Sequence, residues 1–243
     1  AFKSLEEAIA ESPALDIVTP STTHFDISRQ AVVSGRHVFI EKPVTSHLRE
    51  ARQLQSLISE AGVCFQVGHV ERFNPAYIAA QPYIRTPGYI EVHRLAQYNP
   101  RGTDVSVVLD LMMHDLDLVL NMVRSNVKRI QAWGNTLVSA TPDVVNARLE
   151  FENGCIANVS TNRVALRNKR TFHIHEGNNL ININLLDKVA EVTRIETARP
   201  GTSNQLLVPG RGLPNKEIVT EHPIILPTNA INEELNAFYQ SVN

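Results

Sequence analysis

The feature that most limits what this chain can fold into is a change of hydrophobic period part-way along it. Up to residue 68, short apolar runs alternate with stretches of helical length. LDIVTP (15–20), HVFI (37–40) and VCFQVG (63–68) read as strands, His24 to Ser34 as a helix closed by Gly35, and Ser46 to Ala61 as a helix closed by Gly62. Ahead of them, Ser4 and Glu7 stand at capping-box spacing, and Leu5, Ala8 and Ile9 follow at helical intervals until Ser12-Pro13 interrupts them. Strand–helix alternation of this kind predicts a parallel sheet with right-handed crossovers.

From about residue 88 the period becomes two. Tyr89 to Leu95 and Arg129 to Trp133 read as strands. In ARLEFENGCIANVST, Val145, Ala147, Leu149 and Phe151 alternate inward, Asn153-Gly154 suggests a type I′ turn, and Cys155, Ala157 and Val159 return. RTFHIHEGNNLININLLDKVAEVTRI continues the pattern, so this part predicts a mostly antiparallel sheet with a helix or two on one face. The stretch 199–227, rich in Pro, Gly and Asn, reads as irregular. Ile231, Leu235 and Phe238 mark a last helix, with Asn229 as its cap.

A doubly wound nucleotide-binding domain opens with a strand, a Gly-rich turn and a helix. No G-x-G-x-x-G occurs here; GRGLPN at 210 falls in a late loop. The first 70 residues therefore read as the later part of such a domain. Its opening is expected upstream of Ala1, and the C-terminus looks clipped at Asn243.

Composition narrows the partners. A formal charge of −2 and 43% hydrophobic residues describe an ordinary soluble protein and give no basic excess for nucleic acid. The two cysteines, Cys64 and Cys155, lie far apart in strand-like runs without metal or redox spacing. With no apolar run of membrane length and no signal-peptide start, a cytoplasmic protein is the expectation.

One apolar segment carries ionisable groups that are costly to bury without partners, LDLMMHDLDLVL at 109–120. At about 100° per residue, with Asp110 as zero, His114 falls near about 40° and Asp117 near about −20°, while Asp115 at about 140° lies off that stripe. The remaining circumference is largely apolar. Such a stripe is an internal hydrogen-bond network, a metal site, or an acid–base pair in which a carboxylate orients a histidine. No second cluster of His or Cys converges on it, which speaks against a metal. Lys42 in VFIEKPVT is a candidate electrophilic partner: it follows a parallel strand at the edge where open α/β sheets bind ligands, and Pro43 biases it toward extended backbone.

DIVTPSTTHFDISRQAVVSGRHVFIEKPVT, VGHVERFNP and VVLDLMMHDLDLVL together resemble the Gfo/Idh/MocA family of NAD(P)-dependent oxidoreductases. The resemblance implies an α/β fold: residues 1–70 as the C-terminal part of a Rossmann dinucleotide-binding domain, and 71–243 as an α+β domain for substrate binding and oligomerisation. It implies NAD or NADP as cofactor and a homo-oligomer formed through the antiparallel sheet. It matches Lys42, Asp110 and His114 to the family's catalytic Lys, Asp and His, and Thr19, Pro20, His24, Glu41 and Lys42 to its cofactor-binding segments. VGHVERFNPA is similar to the UDP-N-acetylglucosamine 3-dehydrogenase branch of the family, which makes a sugar or nucleotide sugar the expected substrate. Arg72 and Asn74 are candidate substrate contacts beside Asp110 and His114, although Asn74-Pro75 is equally a standard helix start. Arg163, Arg167, Lys169 and Arg170 form a basic run that suits a diphosphate or simply a solvated surface. A cyclitol or small-diol dehydrogenase, and a non-catalytic dinucleotide-binding sensor, are the other functional readings.

Overall fold

The computed structural model describes residues 2–100, 105–199, 201, 205–207 and 212–242. They form two compact units, Ala1–Phe73 with Asn229–Asn243, and Asn74–Thr228.

The first unit is the predicted parallel arrangement. Its elements are α1 (Leu5–Glu11), β1 (Ala14–Ile17), α2 (His24–Val33), β2 (His37–Glu41), α3 (Leu48–Ala61) and β3 (Phe65–Gly68). The strands pair in parallel in the order β1-β2-β3. Ser4 caps α1 by accepting the Glu7 N–H, and Gly62, in the left-handed region at φ 64°, ends α3. Successive side chains of β2 point to opposite faces, and both faces are covered. Val38 and Ile40 join Ile17, Ala31 and Val32 in a core flanked by Ile27 of α2 and by Leu57 and Ile58 of α3. Phe39 points the other way and meets Phe238, ring centroids 5.7 Å apart. Phe238 belongs to α6 (Ala230–Val242), whose first N–H groups at Ile231 and Asn232 donate to Asn229 Oδ1. The C-terminal helix thus packs in the first unit, where the sequence division at 70/71 had assigned it to the second. A buried strand needs cover on both faces, and α6 supplies the second cover.

The second unit contains α4 (Pro75–Ala80), β4 (Tyr89–Leu95), a π-helical turn (Val108–Met112) running into α5 (Met113–Val123), and the strands β5 (Val127–Asn135), β6 (Val144–Phe151), β7 (Ile156–Asn162), β8 (Lys169–Glu176), β9 (Asn179–Asn184), β10 (Val189–Thr197), β11 (Gln205–Leu207) and β12 (Lys216–Glu221). The sheet order is β11-β12-β10-β9-β8-β4-β7-β6-β5. Every neighbouring pair is antiparallel except β4 and β7, because β4 inserts between β7 and β8. Ile90, Val92, Leu149, Ala157, Val159, Phe172, Ile174, Ile181 and Ile183 form one apolar face under Tyr77 of α4 and Leu118 and Val119 of α5. Glu91, His93, Asn158, His173 and Asn182 occupy the intervening positions and are half-buried.

Two local expectations are corrected. The β6–β7 connection is not a type I′ turn: only Gly154 has positive φ, at 88°, and its N–H donates to Phe151 O while the Phe151 N–H donates to Cys155 O. The loop has three residues with glycine at the left-handed position, and Asn153 instead accepts the Cys155 N–H through its side chain. The stretch 199–227 is also not wholly irregular, since it contains β11 and β12, with Ile195 of β10 opposite Ile218. Its Pro and Gly content hides two short strands, of which β12 pairs with β10 and β11 pairs with β12 at the sheet's edge. Residues 202–204 and 208–211 lie outside the described set, and with them part of GRGLPN.

Candidate active site

Because β1, β2 and β3 run the same way, the segments that leave Ile17, Glu41 and Gly68 emerge at one sheet edge, the carboxyl edge. Thr19 and Pro20 are exposed there. The Thr23 hydroxyl lies 2.8 Å from both Thr19 Oγ1 and the Pro20 carbonyl, folding that segment onto the start of α2. Lys42 follows β2 directly and is half-buried; the Lys42–Pro43 peptide bond is cis and Pro43 is buried. His24 is 1% exposed, with Nδ1 2.7 Å from Pro43 O and Nε2 2.8 Å from Thr19 O. It therefore works through the backbone of the two loops. Gly68 pairs with Glu41, and a Cβ there would meet Phe39 Cζ at 3.2 Å and the Glu41 carboxylate at 3.3 Å. A side chain at position 68 would have to push the Phe39 ring and the Glu41 carboxylate back by a few tenths of an ångström. His69 leaves β3 at the same edge, half-buried, a position for which the sequence reading named no role.

In the second unit Asp110 sits inside the π-helical turn, its N–H donating to Ser106 O at 2.9 Å, and His114 sits in the first turn of α5. The uniform 100° step therefore fails before Met113, since a π turn closes one residue later than an α turn. Asp110, His114 and Asp117 are all half-buried. The fully buried acid is Asp115, 1% exposed, which the helical projection had placed off the stripe. Arg94, 3% exposed, holds it: Nε lies 2.9 Å from each carboxylate oxygen and a terminal nitrogen 2.8 Å from Oδ1. The sequence reading missed this pair. Its signal was an arginine at the next inward position after Ile90 and Val92.

Other candidates resolve structurally. Asn74 is 8% exposed; its Oδ1 accepts the Ala76 N–H and its Nδ2 donates to Leu185 O at 3.0 Å, so it starts α4 and ties it to the end of β9. Arg72 is exposed in the short helical turn Val70–Phe73. The basic run divides. Arg167, Lys169 and Arg170 are exposed, whereas Arg163 is 5% exposed, donates to Val105 O, and lies 3.6 Å from the buried Asp143 carboxylate. Burial alone would raise the Asp143 carboxyl, but Ser139 and the backbone N–H groups of Val138, Leu137 and Ser139 outweigh it and hold the carboxyl well below the usual range. Burial pushes the Cys155 thiol up to about 11, as suits a core residue, and both cysteines are free. Among the described residues no group of three or more His, Cys, Asp or Glu is placed to hold a metal ion, and no helix is long and apolar enough to cross a membrane.

Residues 1–69 match the family model for the NAD-binding Rossmann fold of the Gfo/Idh/MocA oxidoreductases, and residues 86–177 match the model for the Gfo/Idh/MocA C-terminal domain. The chain belongs to the Gfo/Idh/MocA family. Among its relatives, UDP-N-acetylglucosamine 3-dehydrogenase of Acidithiobacillus ferrooxidans is 33% identical over 193 residues, covering 79% of this chain and 62% of the relative. The NAD(+)-dependent scyllo-inositol 2-dehydrogenase of Bacillus subtilis is 29% identical over 175 residues, covering 65% of this chain and 51% of the relative. The chain thus spans about half to three fifths of the length of these curated relatives. A solved structure of the UDP-N-acetylglucosamine 3-dehydrogenase from Acidithiobacillus ferrooxidans superposes with a TM-score of 0.87 at 29% identity, over 99% of this chain and 74% of that one. Levoglucosan dehydrogenase in complex with NADH and levoglucosan shares the fold at a TM-score of 0.78 and 20% identity, over 97% of this chain and 73% of that one.

Proposed function

We propose that this Gfo/Idh/MocA chain carries the reacting groups of an NAD(P)-dependent dehydrogenase for a sugar carbinol, with the 3-hydroxyl of a UDP-N-acetylhexosamine as substrate. This reading is supported by the presence, in a chain 33% identical to a UDP-N-acetylglucosamine 3-dehydrogenase, of an E-K-P segment at the carboxyl edge of the parallel sheet in the first unit and of Asp110 in the π-helical turn and His114 in the first turn of α5 in the second. Oxidising a carbinol removes a hydride from carbon and a proton from oxygen. The nicotinamide, when bound, accepts the hydride, and the chain must handle the proton and the charge it leaves behind. His114 is the base that takes the hydroxyl proton, Asp110 orients it, and the Lys42 ammonium stabilises the developing alkoxide. The exposed Thr19-Pro20 segment and the segment around Glu41 and Lys42 suit the nicotinamide end of a dinucleotide, as carboxyl-edge loops do in doubly wound sheets. Arg72, exposed in the turn after β3, is the substrate contact in this reading, whereas the side chain of Asn74 caps α4.

The half-buried polar face of the nine-stranded sheet is the surface proposed for homo-oligomer contacts, and a cytoplasmic location accords with the two free cysteines. The similarity to scyllo-inositol 2-dehydrogenase supports a second reading, a free cyclitol as substrate. The deciding experiment offers full-length protein NAD⁺ or NADP⁺ with a panel of UDP-sugars, inositols and simple diols and follows formation of the reduced nicotinamide. Turnover restricted to UDP-N-acetylhexosamines supports the first reading. Turnover on inositols replaces it with the second, and dinucleotide binding without turnover makes the protein a sensor.

A further inference from the structure

His24 is a buried titratable group that the proposed chemistry does not use, and both of its ring nitrogens face carbonyl oxygens, Pro43 O at 2.7 Å and Thr19 O at 2.8 Å. A carbonyl oxygen can only accept. A neutral imidazole carries one N–H and one lone pair, so one of these contacts would set a lone pair against a carbonyl at hydrogen-bond distance, with no solvent access to relieve it. We infer that His24 donates from both nitrogens and acts as a cationic clip that positions the Lys42 segment against the Thr19-Pro20 segment. The α2 N-terminus, where His24 is the first residue, disfavours a cation. Two charge-assisted hydrogen bonds to carbonyls at short distance oppose that effect.

The place of the clip explains its use. The β1–β2 ladder ends at Ile17 opposite Ile40. Beyond that pair the two chains would diverge, and His24 adds a side-chain rung between residues 19 and 43. It fixes the carbonyl immediately after Lys42, and so the backbone from which the Lys42 ammonium reaches out. His24 is therefore a positioning residue, acting on the reaction through Lys42; this functional half rests on the dehydrogenase reading, while the proton count on the ring does not.

The test has two arms on the full-length protein. Nitrogen-15 NMR of the histidine rings at neutral pH, assigned by the signals lost in His24→Gln, is expected to show both His24 nitrogens protonated with slowly exchanging N–H protons. A lone-pair nitrogen on that ring overturns the clip. In the second arm, His24→Gln, whose two donors sit on a single nitrogen and not at two separate ring positions, is compared with wild type for NAD⁺ affinity by calorimetry and for steady-state kinetics. It is expected to weaken NAD⁺ binding and lower kcat by about tenfold or more, the scale of a small misplacement of a reacting group, while the sugar KM changes little. His24→Phe is expected to go further, with thermal melts showing whether it folds; if it does not, the Gln variant carries the test. Wild-type NAD⁺ affinity and kcat in His24→Gln refute the positioning role. A doubly protonated His24 in a protein that turns over no substrate would instead sink the dehydrogenase reading and leave the clip standing.

Discussion

Arg94 of β4 grips Asp115 of α5 with three contacts of 2.8 to 2.9 Å, in a site where neither side chain reaches solvent. Asp115 is the residue next to His114, so the pair sets how the helix carrying the proposed base seats on the sheet. Two buried charges stabilise little in themselves, but removing one partner strands the other. Arg94→Met and Asp115→Asn are each expected to cost about 3–5 kcal/mol in denaturant unfolding, whereas Arg94→Met combined with Asp115→Leu should recover a large part of that loss. If the double variant is no more stable than the singles, the pair is not the coupled unit described here.

If His114 is the base, His114→Ala should lower kcat by about a hundredfold or more with the fold intact by circular dichroism, the usual scale for losing a general base. Lys42→Met should lower kcat/KM without shifting the thermal melt, because Lys42 is half-buried at the end of a strand and its deletion opens no cavity in the core. A near-normal rate in His114→Ala would move proton transfer to another group.

How far the sequence could be read depended on whether the deciding interaction was local. The Ser4 cap, the Gly35 and Gly62 stops and the alternation of Val145, Ala147, Leu149 and Phe151 are set by neighbours in the chain, and the structure has them as expected. Membership of α6 in the first unit depends on Phe238 meeting Phe39, about two hundred positions apart, and no period reveals that. The π turn at Val108–Met112 shifted the helical phase under the stripe argument, so Asp115 and not Asp110 became the buried acid. Arg163 falls in a basic run and Arg94 draws no role from the sequence, because their partners, Asp143 and Asp115, lie about twenty residues away.

Asp143 makes a pH-dependent contribution whose sign is fixed. Its Oδ2 accepts the N–H groups of Leu137 and Val138 at 2.7 Å and of Ser139 at 3.1 Å, and its folded-state carboxyl titrates below the usual range. A carboxyl lowered by folding stabilises above its unfolded value of about 4 and loses that contribution as pH falls toward the folded-state value. Wild type should therefore exceed Asp143→Asn in unfolding midpoint at neutral pH, and the gap should close progressively below about pH 4. A gap that widens in acid would contradict the assignment.

Gly68 links the carboxyl edge to the packing of the C-terminal helix. A methyl group there would press on Phe39 Cζ at 3.2 Å and on the Glu41 carboxylate at 3.3 Å, and Phe39 in turn packs, with its ring tilted, against Phe238 of α6. The ring cannot retreat without disturbing that contact, and the carboxylate, at the end of its side chain, would have to turn aside. Gly68→Ala is accordingly expected to destabilise the protein by about 1–3 kcal/mol, the range for overpacking a filled site, and to weaken NAD⁺ binding as well. Combining it with Phe39→Leu should recover much of the stability, because the shorter side chain vacates the Cζ position, while leaving the defect in NAD⁺ binding that the displaced Glu41 causes. Recovery of both together would assign the whole effect to the ring, and recovery of neither would place the strain in the β3 backbone.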